Sequence, residues 1–226
     1  MGLFSKKDTD KERNFEAEFQ FPTSDKTLLI FTRNPELGKV KTRLAGGVGD
    51  QAALDIYKFL LQHTVKITSG LSVDKQVFYS EKIRSGDFWD EEKFTKKLQH
   101  GEDLGLRMQR AFQDAFKSGY QKAIIIGSDM YDLSQKDIEQ AFAALDDHNF
   151  VIGPAEDGGY YLLGMNVLKP ELFQHKEWGT ETVLNDTLAD LKEESVKLLE
   201  TRNDVDYYED IKGIEAFFPF LPQHLK

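Results

Sequence analysis

Two unbroken apolar runs constrain this chain most: Thr27-Leu-Leu-Ile-Phe-Thr-Arg33 and Ala123-Ile-Ile-Ile-Gly-Ser-Asp129. Both are rich in β-branched and aromatic residues and show no alternation of polar with apolar. Such strands are covered on both faces, as in the middle of a parallel sheet flanked by helices. The intervening chain supplies the helices. Gly49–Thr64 carries a stripe of Ala52, Ala53, Ile56, Phe59, Leu60 and His63 at helical spacing, which makes His63 a helix-face residue. Asp103–Lys117 carries Leu104, Met108, Ala111, Phe112, Ala115 and Phe116, and Gly119 stops it. Gln135–Leu145 follows Ser134, a plausible N-cap. Further helices are expected over Trp178–Lys192 and Tyr207–Phe217.

Shorter strands are expected at Asp74–Ser80, Asn149–Pro154, Tyr160–Gly164 and Val196–Glu200. A loop is expected from Asn34 to about Leu44. Residues 81–97 read as irregular, with Phe88, Trp89 and Phe94 packing a lid or an edge. This alternation predicts an α/β fold, a three-layer α/β/α sandwich with a mostly parallel sheet. The turn at Asp157-Gly158-Gly159 is too short for a helical crossover, so one antiparallel strand enters late. With no linker or repeat, a single domain is expected over 26–226. A charged extension is expected over 1–25, with Phe15, Phe19 and Phe21 available for docking.

Composition narrows the function. The 226 residues are 40% apolar and 30% charged, as in soluble globular proteins. No apolar run approaches the ~20 residues of a membrane span, and no signal peptide is visible, so a cytoplasmic protein is expected. The absence of cysteine excludes disulfides, thiolate metal sites and cysteine nucleophiles. A net charge of −10 argues against nucleic acid as a partner, but not against small phosphorylated ligands held by a local cationic cluster.

Such a cluster exists. Arg33, Lys39, Lys41 and Arg43 fall within eleven residues, after the first strand and around Gly38. Arg offers bidentate contacts and Lys a mobile point charge, so the loop suits a di- or triphosphate better than a merely solvated surface. It lacks the order of a Walker loop. Asp129 ends a central strand, where open α/β sheets bind ligands, and a carboxylate there suits a divalent metal bound to phosphates. An Asp capping the next turn is the bland alternative. Asp206, in Asp204-Val-Asp206, is expected on the same rim as a second metal ligand, while Glu209 and Asp210 suit a helix N-terminus. Gly101-Glu-Asp103-Leu-Gly105-Leu-Arg107 is either a ligand loop or a helix cap. Glu156-Asp157-Gly158-Gly159-Tyr160 is either an acceptor site or a hairpin turn. The five histidines show no metal-ligand spacing.

Taken together, these segments resemble the DUF2064 family, which is regarded as a group of glycosyltransferases or nucleotide-diphospho-sugar transferases of the GT-A fold. Phe31, Arg33, Pro35, Gly38, Lys41, Thr42, Arg43 and Leu44 match its first motif. Gln99–Met108, Gly127-Ser128-Asp129 and Gly153–Gly164 match three more, and Trp178 and the Asp-Val-Asp segment also fit. The family's Cys-Pro after Gly-Ser-Asp is Met130-Tyr131 here, and its Thr-Pro after Asp-Val-Asp is Tyr207-Tyr208. The resemblance implies a transferase using Mg²⁺ or Mn²⁺, a nucleotide or sugar nucleotide, and a small-molecule acceptor. Arg33, Gly38, Lys41, Arg43, Asp103 and Arg107 would then bind nucleotide and phosphate, Asp129 and Asp206 the metal, and Gly158, Gly159 and Tyr160 the acceptor. Asp157 would be the base. Nucleotidyl transfer from a nucleoside triphosphate to a phosphorylated acceptor is the second reading, and a non-catalytic nucleotide-binding protein the third.

Overall fold

The computed structural model describes residues 22–226. The expected extension over 1–25 therefore lies almost wholly outside the described residues. Seven strands form one sheet: β1 (Lys26–Thr32), β2 (Asp74–Tyr79), β3 (Thr95–Leu98), β4 (Lys122–Ile126), β5 (Phe150–Pro154), β6 (Tyr160–Met165) and β7 (Val196–Leu198). Their order is β3-β2-β1-β4-β6-β5-β7. All pairings are parallel except those of β6, which runs antiparallel to both β4 and β5. The α/β class and the late antiparallel strand are both as the sequence indicated. Because β6 is reversed, its first residue, Tyr160, joins the rim formed by the carboxyl ends of β1, β4 and β5.

The alternation along β1 sends Leu28 and Ile30 to one face and Leu29 to the other. The first face is covered by α2 (Asp50–Thr68) and α4 (Gln135–Ala144), through Leu54, Tyr57, Leu61, Ile138 and Phe142. The second is covered by α3 (Leu104–Lys117) and α5 (Val183–Asp190), with Met108, Ala111, Phe112 and Ala115 against Ile125 and Leu163. Ile124, Ile125 and Ile126 are buried, and each contributes about 1.5–3 kcal/mol as an upper bound.

A third cluster joins the short helix α1 (Thr42–Val48) and the far side of α2 to the C-terminal segment, through Leu44, Ala53, Ile56, Leu60, Val205, Ile211 and Phe217. The stripe Ala52, Ala53, Ile56, Phe59 and Leu60 faces this tail. Leu54, Tyr57 and Leu61 face the sheet instead. His63 does lie on the helix face, bonded to the Leu133 carbonyl at 3.0 Å.

Four expectations need correction. The loop after Asn34 ends in α1, which Gly46 and Gly47 hid from a propensity argument. Residues 95–98 are not irregular but form the edge strand β3, whose half-exposed Thr-Lys-Lys-Leu sequence gives no apolar signal. The helix expected from Trp178 begins at Val183, because Gly179 adopts φ +85° and keeps the preceding residues in a turn. The helix expected over Tyr207–Phe217 is instead two 3₁₀ segments, Tyr208–Asp210 and Glu215–Phe220, separated at Gly213 (φ +80°).

Candidate active site

The site forms where four chain segments leave the same rim. Ser128 ties two of them together. It is buried, and its Oγ lies 3.2 Å from Thr32 Oγ1 and 3.2 Å from Tyr57 Oη. Tyr57 Oη also accepts the Arg33 backbone N–H at 2.9 Å. The ends of β1 and β4 are thereby pinned to α2, which fixes where Arg33 and Asp129 begin.

Gly127 shapes the turn that leaves β4. A Cβ there would meet Asp129 Oδ1 at 2.7 Å, so only glycine lets that carboxylate fold back over the end of the strand. The Asp204–Asp206 segment is brought alongside by Arg202, whose backbone N–H donates to the Pro154 carbonyl at 3.1 Å, and by buried Val205. The carboxylates of Asp129, Asp204 and Asp206 each place one oxygen so that all three lie within 4.8 Å of one another.

Lys41 sits in this cluster. Its ammonium donates to Asp129 Oδ2 and Asp206 Oδ1, both at 2.8 Å, and its side chain is 6% exposed. The Lys41 backbone is left-handed (φ 48°, ψ 46°), a conformation that costs a β-carbon residue about 1 kcal/mol. Burial opposes the charge on Lys41, but Asp129 and Asp206 outweigh it and hold its pKa above the ordinary lysine value. Burial likewise opposes the charge on Asp129, and the Lys41 ammonium outweighs it, keeping this carboxyl below the usual range. Burial, with Asp206 and Asp129 adding their negative charge, pushes Asp204 up to about 6, and Lys41, which lowers it too, does not offset them. The cluster thus carries more negative charge than Lys41 compensates. Three hard oxygen donors with excess charge suit a divalent cation such as Mg²⁺ or Mn²⁺.

Arg43 extends the cluster outward. Its guanidinium lies 3.1 Å from Asp206 Oδ2 and over the Tyr207 ring, 5.9 Å from the centroid. Beside the carboxylates, on the α3/α5 face of the sheet, a cavity of about 240 Å³ is lined by Asp129, Asp157, Asp204, Gly159, Tyr160 and Trp178, among others. Asp157 is exposed and Oδ1 accepts the Gly159 backbone N–H at 2.9 Å. Gly158 holds the turn against the chain leading into α5: its φ is +87°, a Cβ would lie 2.3 Å from the Glu181 carbonyl oxygen, and its own carbonyl accepts the Leu184 N–H at 2.9 Å.

The structure therefore brings together Lys41, Arg43, Asp129 and Asp206, with Asp157, Gly159 and Tyr160 on the adjoining cavity. Arg33 lines a second cavity on the α2 face. Gly38 turns the loop with φ +72°. Asp103 is the N-cap of α3, accepting the Leu106 N–H at 2.7 Å, and Arg107 Nε donates to the Gly101 carbonyl at 2.9 Å. Both hold the start of α3. Asp204 and Trp178 were not selected from the sequence as site residues. The signal for Asp204 was its spacing of two from Asp206 in an extended segment, which puts both side chains on one side.

The fold and this rim define an α/β protein of the nucleotide-diphospho-sugar transferase-like type. A protein from Desulfovibrio desulfuricans G20, provisionally assigned as a nucleotide-diphospho-sugar transferase, superposes with a TM-score of 0.79 at 29% identity, over 87% of this chain and 94% of that one. A cytidylyltransferase from Leptospira borgpetersenii serovar Hardjo-bovis (strain JB197) shares the fold at 12% identity and TM-score 0.55, over 89% and 90% of the two chains. So does 4-diphosphocytidyl-2C-methyl-D-erythritol synthase from Anaerococcus prevotii DSM 20548, at 11% identity and TM-score 0.54, over 86% and 97%. Among curated proteins no sequence matches. The chain belongs to the DUF2064 family, described as "uncharacterized protein conserved in bacteria", whose profile matches residues 64–180. That span includes Asp129 and Asp157 and leaves the Arg33–Arg43 loop and Asp204–Asp206 outside it.

Proposed function

We propose that this protein transfers a sugar from a nucleotide-diphospho-sugar to a small acceptor, with a divalent cation, Mg²⁺ or Mn²⁺, held by Asp129, Asp206 and Asp204. One observation carries the reading. The carboxylate cluster is paired with cations of the Arg33–Arg43 loop and opens onto a cavity, so diphosphate and acceptor each have a complementary neighbour. The cation would supply charge stabilisation to a departing nucleoside diphosphate.

The chain's own residues supply the rest. Arg33, Lys41 and Arg43 bind the phosphates, with the Gly38 turn shaping the loop that carries them. Asp103 and Arg107 support the nucleotide from the start of α3. Gly158, Gly159 and Tyr160 form the acceptor wall. In the transfer, the acceptor hydroxyl oxygen bonds the anomeric carbon as that carbon's bond to the diphosphate oxygen breaks. The hydroxyl proton passes to Asp157, and the nucleoside diphosphate leaves.

Nucleotidyl transfer to a phosphorylated acceptor is the second reading, favoured by the four cations of the loop. Thermal melting against nucleoside diphosphates, triphosphates and sugar nucleotides, each with Mg²⁺ or Mn²⁺, tests the pair. Stabilisation by a diphosphate and one sugar nucleotide supports sugar transfer. Preference for a triphosphate, with pyrophosphate released on turnover, replaces it with nucleotidyl transfer. No stabilisation by any nucleotide removes both.

A further inference from the structure

Two cavities flank the rim, one on each face of the sheet, and their linings differ in charge. The cavity on the α2 face, about 310 Å³, includes Arg33, Lys58 and Arg84 along with Asp87 and Trp89. The cavity on the α3/α5 face has Asp129, Asp157 and Asp204 as its charged groups, and among the described residues no Lys, Arg or His lines it. Its apolar wall comes from Phe31, Met108 and Trp178. Tyr160 reaches into the same space. The only hydrogen-bond partner of its hydroxyl among the described residues is the Met108 sulfur at 3.9 Å, a weak acceptor. Burial raises the Tyr160 pKa, so the phenol stays protonated and available as a donor.

From this lining we infer that the acceptor entering the α3/α5 cavity is an uncharged, hydroxyl-bearing ring compound with one apolar face, and not a phosphorylated one. The inference rests on the transferase reading above and names its acceptor class. With the donor's diphosphate on the cation, a phosphate here would face that diphosphate and Asp157 with no Lys, Arg or His in the described wall, and repulsion of like charges in a partly dry site is strong. A hydroxyl has both partners it needs: the Asp157 carboxylate to accept its proton and the Tyr160 phenol to donate to its oxygen. An apolar ring face fits the aromatic and thioether wall. A cationic acceptor is disfavoured because a divalent cation on the cluster would cancel much of the negative charge that attracts it.

The two tryptophans make the cavities separately observable. Trp89 lines the α2-face cavity and Trp178 the other, and the chain has two in all. In full-length Trp89→Phe protein, Trp178 is the sole indole. Fluorescence titration in saturating Mg²⁺ and the nucleoside diphosphate that gives the largest melting shift, with the phenyl β-glycosides of glucose, galactose and mannose, each compared with its O6-phosphorylated form and with phenethylamine, reads this cavity alone. At least one neutral glycoside should change Trp178 emission saturably, with its phosphorylated form and the amine weaker by roughly tenfold or more. Trp178→Phe protein, reporting from Trp89, should show no such change. Equal or tighter binding of the phosphorylated form, tighter binding of the amine, or no response to any neutral glycoside overturns the inference. If Trp89→Phe does not fold, wild-type protein labelled with fluorotryptophan gives two fluorine resonances that carry the same comparison. Nucleoside diphosphate binding, measured by melting on the same samples, fails separately: its loss removes the transferase reading and leaves the cavity's selectivity as measured.

Discussion

Lys41 Nζ lies 2.8 Å from Asp129 Oδ2 across 88 positions of sequence, and the same ammonium reaches Asp206. This pair explains why a lysine tolerates left-handed backbone: the conformation aims a buried cation at two carboxylates that would otherwise repel. It also sets up competition. A divalent cation on Asp129, Asp204 and Asp206 must share these oxygens with Lys41 or release it toward an incoming phosphate.

Replacing Lys41 with Met should therefore destabilise the metal-free protein. Unpairing two carboxylates costs about 1–3 kcal/mol here, discounted because Asp129 and Asp206 are 35% and 27% exposed. Most of that loss should return on adding Mn²⁺, since the metal replaces the missing charge. Thermal melting of both proteins with and without Mn²⁺ checks this. A deficit that Mn²⁺ leaves unchanged would place the cation elsewhere.

Gly127 and Gly158 should separate site from scaffold. Gly127→Ala meets only the Asp129 carboxylate, so it should shift that group, weaken metal-dependent nucleotide binding several-fold, and cost little stability. Gly158→Ala meets the Glu181 backbone at φ +87°, and should cost about 2–4 kcal/mol. Denaturant melts paired with nucleotide titration distinguish them. Equal stability losses in the two variants would contradict the assignment.

How much of this was legible in the sequence depended on the physics of each element. The apolar runs of β1 and β4 identified a sheet covered on both faces because nothing but double burial tolerates Ile124-Ile125-Ile126. The paired glycines and short turn at 157–159 identified the reversed strand. The stripe on α2 was visible, but its partner was not. Ala53, Ile56 and Leu60 pack on the C-terminal tail, and periodicity alone cannot say which of two apolar faces meets the sheet. β3 was invisible because an edge strand of Thr-Lys-Lys-Leu buries little. At the site, Asp129 and Asp206 were found from their positions after strands. The Lys41 link was not, because a lysine 88 residues away announces no partner.

The two residues that follow Asp129 have packing roles. Met130 is buried in the core. Tyr131 packs edge-on against Phe217 at 4.9 Å between centroids, and against Phe59 and His63. Tyr131 therefore anchors the 3₁₀ tail to α2. Tyr131→Ala should lower stability by about 2–3 kcal/mol, less than truncating a fully buried aromatic because the ring is only partly buried. Nucleotide binding measured well below the melting temperature should be unchanged. Loss of nucleotide binding in a variant with wild-type stability would instead assign Tyr131 to the site.

Asp204 gives a pH dependence whose sign follows from its raised pKa. Its ordinary value is 3.8, and in the folded protein it is about 6. The folded state binds this proton more tightly than the unfolded chain does. The contribution is therefore fully favourable below pH 3.8 and is lost as pH rises through 6. A shift of this size corresponds to at most about 3 kcal/mol, reduced to about 1–2 because the group is partly solvated. Asp204→Asn removes the titration. The variant should be more stable than wild type by about that amount at pH 7.5, and the difference should shrink toward zero near pH 4. Saturating Mn²⁺ should reverse the order at pH 7.5, since wild type gains a ligand that the amide supplies poorly. Melting temperatures of the two proteins from pH 4 to 8, with and without Mn²⁺, decide it. A stability difference that ignores both pH and metal would show that Asp204 neither titrates in this range nor belongs to the cation site.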